Sequence, residues 1–192
     1  MEENITIEIM LKKYGVPERF LDCSFDNFLG KPQLVNFFQE LSNEKPFPTT
    51  TMMGKPGCGK THLAVALLRK FQIDNRLETR SVEFIPATEL LLILRRSFNS
   101  NENTEFDIIK KYSELDLLIL DDLGSEKISD WSISTLFLIL NNRYNNMKPT
   151  IITTNFNTNE IEKQFGARIS SRLSSGKICT IDMPDYRKKR EH

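Results

Sequence analysis

The sequence predicts an α/β fold, a five-stranded and mostly parallel sheet sandwiched by helices. Three observations predict it. Short apolar runs alternate along the chain with segments whose apolar residues recur at helical spacing. A glycine-rich turn, residues 54–61, lies between one such run and a helix. The run 116–120 is apolar throughout after its first residue, as in a strand buried on both faces, and two adjacent acids follow it.

The elements follow in order. Ile5 to Tyr14 reads as a short helix stopped by Gly15, and residues 15–30, GVPERFLDCSFDNFLG, as an irregular lead-in with aromatic anchors. Lys31 to Ser42 places Pro32 at the first helical position, followed by Leu34, Val35, Phe37, Phe38 and Leu41 along one face. A strand is expected over 49–53. A helix with Leu63, Leu67 and Phe71 on one side is expected over 60–71. A second strand over 82–85 leads into a helix from Ala87 to Phe98, with Leu90, Leu91, Leu94 and Phe98 as its core face. After the strand 116–120 comes a helix from Asp130 carrying Ile133, Leu136, Phe137, Leu140 and Tyr144. The last two strands are expected over 150–154 and 178–181. The pattern does not determine the order of strands in the sheet. The organisation expected is a lead-in, residues 1–30, and one domain, residues 31–192.

Composition excludes several classes. Lys plus Arg equals Asp plus Glu, 26 against 26, so no global field draws the chain to nucleic acid, and any such contact needs a local basic patch. Cys23, Cys58 and Cys179 are scattered, with only two histidines in the chain, which argues against a zinc site or a disulfide framework and fits a reducing cytosol. The longest apolar runs, near Leu90–Leu94 and Leu136–Leu140, are too short to span a bilayer, and MEENITIEIMLKK lacks a signal-length apolar stretch. A cytoplasmic protein with no membrane partner is expected.

Residues 54–61 read GKPGCGKT, which satisfies GxxxxGK[ST] between a strand and a helix. Glycines at 54, 57 and 59 let the loop curl so that successive main-chain N–H groups point inward, and the following helix adds its positive N-terminal dipole. Such a nest holds phosphate. Gly54, Lys55, Pro56, Gly57, Cys58, Gly59, Lys60, Thr61 and His62 are the candidate nucleotide-binding residues. Lys60 would reach the β- and γ-phosphates of ATP, and the Thr61 hydroxyl would ligate magnesium. The plainer reading is a chance glycine turn. The acids downstream weigh against it.

Asp121 and Asp122 close a buried strand at the end where ligands sit in open α/β sheets. Asp121 is assigned to the magnesium shell, and Asp122, pointing the other way, to polarising an attacking water. Two acids opening a loop are common, and only the phosphate loop some sixty residues upstream gives them this meaning. Asn155 ends the strand 150–154, where an amide can reach a γ-phosphate or a water. Taken alone it is equally a strand running into a turn.

Together, GKPGCGKTHLAVAL, LLILDDLGSEKISDW, RYNNMKPTIITTNF and FGARISSRL resemble the DnaC/IstB group of AAA+ ATPases, from about Val16 to Arg187. That group includes bacterial replicative helicase loaders and the ATP-dependent helpers of certain transposases. The resemblance implies an AAA+ sheet, ATP hydrolysis, and a sensor role for Asn155. It also implies that Arg172 acts as an arginine finger on the nucleotide of a neighbouring subunit, so that copies self-associate around shared sites. Without it, Arg168 and Arg172, four apart on a helix face, would be read as partners of surface acids. The partner implied is a replicative helicase, or else a transposase, with single-stranded DNA gripped weakly and with ATP by the helix carrying Arg95, Arg96 and Phe98.

The chain departs from the group in carrying aspartate as its second acid where many members have glutamate, which predicts slow basal hydrolysis. The sequence closes shortly after DYRKKR, which predicts little or no C-terminal lid, with Arg187 as a candidate second sensor. The segment before Val16 predicts no large separate helicase-binding domain. Two readings stand beside the ATPase: a small-molecule kinase on the same phosphate loop, and a non-hydrolysing nucleotide switch.

Overall fold

Side chains in a strand alternate between the two faces of a sheet, and here the alternation sorts the apolar residues into two cores. Met52, Leu117, Ile119 and Ile151 face one, while Met53, Leu118, Leu120 and Ile152 face the other. The computed structural model describes residues 2–74, 76–77, 80–97, 104–125 and 128–186, with side chains from Thr6 onward. Its strands are β1 (Thr50–Met53), β2 (Val82–Pro86), β3 (Leu117–Leu123), β4 (Thr150–Thr154) and β5 (Lys177–Thr180). Its helices are α1 (Glu2–Lys13), α2 (Pro32–Asn43), α3 (Lys60–Ile73), α4 (Ala87–Ser97), α5 (Glu105–Glu114), α6 (Asp130–Asn145) and α7 (Thr158–Leu173). The first core gathers α1, α2, α3 and the lead-in; the second gathers α4 to α7. The sheet is therefore sandwiched.

All five strands pair in parallel, in the order β2-β3-β4-β1-β5. This order, which no local pattern specifies, puts β4 between β1 and β3. Whatever leaves the C-terminal ends of β1, β3 and β4 is thereby brought together. Gly54 N–H donates to the Thr154 carbonyl at 3.3 Å, tying the start of the glycine-rich turn to the end of β4.

The lead-in shares the first core. Leu21, Cys23, Phe25 and Phe28 are buried there, and Phe84 N–H of β2 donates to the Tyr14 carbonyl at 2.7 Å. It contains one turn of 3₁₀ helix, Glu18–Phe20. Arg69 of α3, itself buried, ties the segment down through hydrogen bonds to the carbonyls of Leu21 and Cys23.

Two features depart from the sequence reading. First, α5 was not anticipated. Its N-terminus is a capping box in which Thr104 and Asp107 satisfy each other's main-chain N–H, but only Ile108, Tyr112 and Ser113 of its ten residues are buried, too few to print a clear period. Second, β3 does not end before the acids; it runs through them to Leu123. A register irregularity against β4 falls between Leu120 and Leu123, and Asp122 takes φ +56°. A non-glycine residue there is strained by about 1 kcal/mol or more.

Arg143, almost wholly buried, staples the second core. Its Nε donates to Thr150 Oγ1 at 2.8 Å, Nη1 to the carbonyls of Tyr112 and Leu115 at 2.8 Å each, and Nη2 to the Pro149 carbonyl at 2.6 Å. One side chain thus joins α6, the end of α5 and the entry to β4. Among the described residues no helix follows β5 and no helix is long and apolar enough to cross a membrane. Phe98 and Arg187 lie outside the described residues.

Candidate functional site

The turn after β1 is built from positive-φ glycines. Gly57 stands at φ +77° and Gly59 at +97°, conformations that cost a side-chain-bearing residue about 1–2 kcal/mol. A Cβ at Gly59 would also come within 2.6 Å of the Phe28 ring, so lead-in and loop are fitted together. Gly59 caps α3 without any side-chain bond. Whereas α5, α6 and α7 each open on a capping box, the first N–H groups of α3 have no such side-chain partner. A helix N-terminus of this kind, following a glycine nest, is an anion site.

Lys60 is buried beneath the loop. Its ammonium donates to the Gly54 carbonyl at 2.7 Å, the Lys55 carbonyl at 3.0 Å and Asn155 Oδ1 at 2.8 Å. Burial lowers its pKa from the ordinary lysine range, opposed by the nearby Cys58, Asp122 and Asp121. Beside it, Thr61 Oγ1 donates to Asp121 Oδ1 at 3.0 Å. Asp121 is buried, and desolvation raises its pKa, with hydrogen bonds from Thr153 and Thr61 pulling the other way. Thr153 was not singled out in the sequence. Its hydroxyl donates to Asp121 Oδ1 at 2.6 Å while accepting the main-chain N–H of Asp122 at 2.8 Å. One hydroxyl on β4 thus sets both acids. A threonine in a strand rich in threonine carries no signal of this in sequence.

The two acids face different partners. Asp121 turns to Thr61, whereas Asp122 Oδ1 accepts from Asn155 Nδ2 at 2.9 Å. The Asn155 amide therefore bridges Lys60 and Asp122. Lys60, Thr61, Asp121, Asp122 and Asn155 are thus assembled at the ends of β1, β3 and β4. Cys58 is buried in the loop, its Sγ 3.9 Å from Lys60 Nζ. The side chain of His62 turns away from this cluster: Nε2 lies 2.8 Å from the Ser24 carbonyl and the ring meets Phe28 edge-on at 5.1 Å. Only the main-chain N–H of His62, in the first turn of α3, remains to face a phosphate. Arg172 is not brought to the cluster either. It sits in the last turn of α7, donating from Nε to Asn141 Oδ1 at 3.0 Å, with its guanidinium 4.4 Å from the Tyr144 ring centroid.

Among the described residues no group of three or more His, Cys, Asp or Glu side chains could hold a metal alone. Thr61 and Asp121 instead offer two hard oxygens beside a phosphate nest, the donor set that magnesium takes when substrate phosphates complete its shell. An open cleft of about 950 Å³ adjoins the loop, lined by Leu29, Lys31, Lys55, Pro56, Met183 and Tyr186 among others. Its far wall, the segment after β5, is tied to the loop where Tyr186 N–H donates to the Gly57 carbonyl at 3.1 Å.

Comparison with known proteins agrees with this fold. The chain is 26% identical over 189 residues to the replicative helicase loader DnaC of Buchnera aphidicola subsp. Baizongia pistaciae, covering 94% of this chain and 75% of that protein. It is 25% identical over 170 residues to DnaC of Escherichia coli K12, covering 84% of this chain and 67% of that one. The crystal structure of a DnaC helicase loader superposes with a TM-score of 0.74 at 27% identity, covering 86% of this chain and all of that one. DnaA from Aquifex aeolicus, at 20% identity and a TM-score of 0.70 over 88% of this chain and 53% of that one, shares the fold. These neighbours place the sheet and phosphate loop in the AAA+ class of P-loop proteins. The family model described as IstB-like ATP binding protein matches residues 32–175, from the start of α2 to the approach to β5; the chain belongs to that ATP-binding family.

Proposed function

We propose that this chain binds ATP with magnesium, hydrolyses it, and uses the cycle to help place a replicative helicase on single-stranded DNA. The observation that supports the chemistry most directly is that Lys60 and Thr61, in the first turn of α3, meet Asn155 and Asp121 respectively beside the glycine-rich loop. The loop N–H groups and Lys60 hold the triphosphate, and the cleft beside Pro56 and Tyr186 takes the nucleoside. Thr61 and Asp121 hold magnesium, which when bound neutralises charge on the phosphate oxygens. For Lys60 to meet a phosphate it gives up a loop carbonyl. Asn155 can exchange the bond that its Nδ2 donates to Asp122 for one donated to the γ-phosphate, while its Oδ1 keeps Lys60. That exchange releases Asp122, whose carboxylate then orients the attacking water. Arg172, remote from its own chain's cluster, is assigned to the neighbouring copy's nucleotide, where a guanidinium stabilises developing charge.

The loader role rests on the relatives named as helicase loaders, which align along 84% or more of this chain. Arg95 and Arg96, exposed in the last turn of α4, are the basic pair offered to single-stranded DNA; Arg95 is partly engaged over the Trp131 ring, 5.2 Å away. A second reading, an ATP-dependent partner of a transposase, is favoured by the name of the matching family model. The two separate in a loading assay with purified replicative helicase from the source organism, a single-stranded circle and ATP. The loader reading expects more helicase on the circle when the chain is present, and less again with Lys60→Ala. No gain, together with stimulation of DNA strand transfer by a neighbouring transposase, would favour the second.

A further inference from the structure

Arg172 and Arg168, four apart on α7, could have been the partners of surface acids. The structure shows otherwise: among the described residues neither makes an ion pair. Both pack instead against side chains of α6. The two helices follow parallel strands and run side by side in the same direction. Arg168 is stacked over Phe137 at 5.2 Å, and one turn further on Arg172 is stacked over Tyr144 at 4.4 Å. Asn141 Oδ1, on the same face of α6 as Tyr144, accepts from Arg172 Nε at 3.0 Å. These contacts engage Nε and the flat face of the guanidinium. Its two Nη groups make no hydrogen bond among the described residues.

We infer that Asn141 and Tyr144 are positioning residues for Arg172, holding its guanidinium with both Nη groups presented to the phosphate of a second copy of this chain. The inference rests on the trans-acting role proposed above for Arg172. The choice of partners is chemical. A carboxylate would orient an arginine equally well, but it would neutralise the charge and compete with the phosphate for the same fork of N–H donors. A neutral amide and a π-face fix the side chain while leaving its charge available. Arginine also carries more rotamer entropy than most side chains, and a side chain already held loses less of it when the second copy arrives. Tyr144 is 48% exposed, so its ring contributes little to the core and is accessible to a second copy.

Steady-state ATP hydrolysis by the full chain, at protein concentrations where activity per subunit has saturated, tests this. Tyr144→Ala and Asn141→Ala are each expected to lower kcat roughly tenfold with KM for ATP unchanged, the signature of a group acting only in the transition state. Tyr144→Phe, which keeps the ring, is expected to retain most of the rate. On an Arg172→Ala background Tyr144→Ala should add no further loss. Asp122→Asn subunits, inert themselves but with intact fingers, should raise turnover when mixed with Tyr144→Ala subunits. Independent, multiplying losses in the double variant, or no gain on mixing, would overturn the positioning role. So would a wild-type rate in both single variants while Arg172→Ala is impaired. Full activity of Arg172→Ala, or a wild-type protein inert toward ATP, would overturn the finger reading itself and this inference with it. Melting temperatures close to wild type for Tyr144→Ala exclude a loss through misfolding.

Discussion

Asn155 and Lys60, ninety-five residues apart in the chain, share a hydrogen bond of 2.8 Å. The other end of the same amide donates to Asp122 at 2.9 Å. The cation takes the carbonyl end and the acid takes the amino end, so one neutral side chain keeps a buried lysine and a strained aspartate in a fixed relation. Lengthening or ionising that amide disturbs both. Asn155→Asp would set a second carboxylate against Asp122, and Asn155→Ala would leave Lys60 without one of its three oxygen acceptors. Asn155→Ala is expected to lower ATP turnover by a factor of ten or more while nucleotide affinity changes only a few-fold, since the loop and Lys60 still hold the phosphates. Rapid-quench hydrolysis beside equilibrium binding measures the two quantities; equal losses in both would contradict the bridging role.

Asp122 occupies a left-handed conformation that only a functional constraint or a tight turn justifies. Asp122→Asn keeps the shape and removes the charge. The expected outcome is loss of single-turnover hydrolysis with ATP binding preserved. If wild type and variant prove equally inactive while both bind ATP, the chain is a non-hydrolysing switch.

Asp121 provides a prediction in pH. Burial raises its pKa above the ordinary aspartate value. A carboxyl raised in the folded state contributes stability that is fully present below its unfolded value and is lost as pH rises through the folded value. At pH 7 without metal its ionised form therefore costs stability. Asp121→Asn is expected to raise the melting temperature of the metal-free protein at pH 7, while abolishing magnesium-dependent ATP affinity. Thr153→Val removes the 2.6 Å donor that holds the carboxylate ionised, so Asp121 should titrate higher still. The magnesium dependence of binding should then fail at a higher pH than in wild type as pH is lowered. Titrations across pH 5–8, on the order of the range where such shifts act, check the direction; a failure at lower pH in Thr153→Val would contradict the assignment.

Arg143 is a prediction about the fold alone. Four acceptors on two segments depend on it, and removing one partner from a buried network leaves the others unsatisfied. Arg143→Ala is expected to cost roughly 3 kcal/mol or more, read from urea denaturation midpoints. A cost under about 1 kcal/mol would mean that water replaces the guanidinium.

What the sequence made legible was local. The spacing of Gly54, Gly57, Gly59, Lys60 and Thr61 specifies a loop geometry by itself, and the apolar run before Asp121 specifies a buried strand. What stayed hidden depends on residues far apart in the chain. Thr153 acts on both acids only because β4 lies beside β3. The strain at Asp122 comes from a register shift between those two strands. The His62 ring was drawn to Ser24 by a lead-in whose packing on α3 no periodicity encodes. Arg143, one charged residue near the polar end of a helix, resembles a solvated side chain until the strand order shows what it reaches. α5 escaped because its buried face amounts to little more than Ile108 and Tyr112.

Every proposed role depends on the loop N–H groups and Lys60 holding a triphosphate, with magnesium at Thr61 and Asp121. Isothermal titration of ATP into the protein, with and without magnesium and in parallel with Lys60→Ala, tests it most directly. Saturable binding is expected that tightens with magnesium and weakens by a factor of ten or more in Lys60→Ala, about 1.4 kcal/mol or greater. Binding of equal strength in the variant, or none in the wild type, would contradict it.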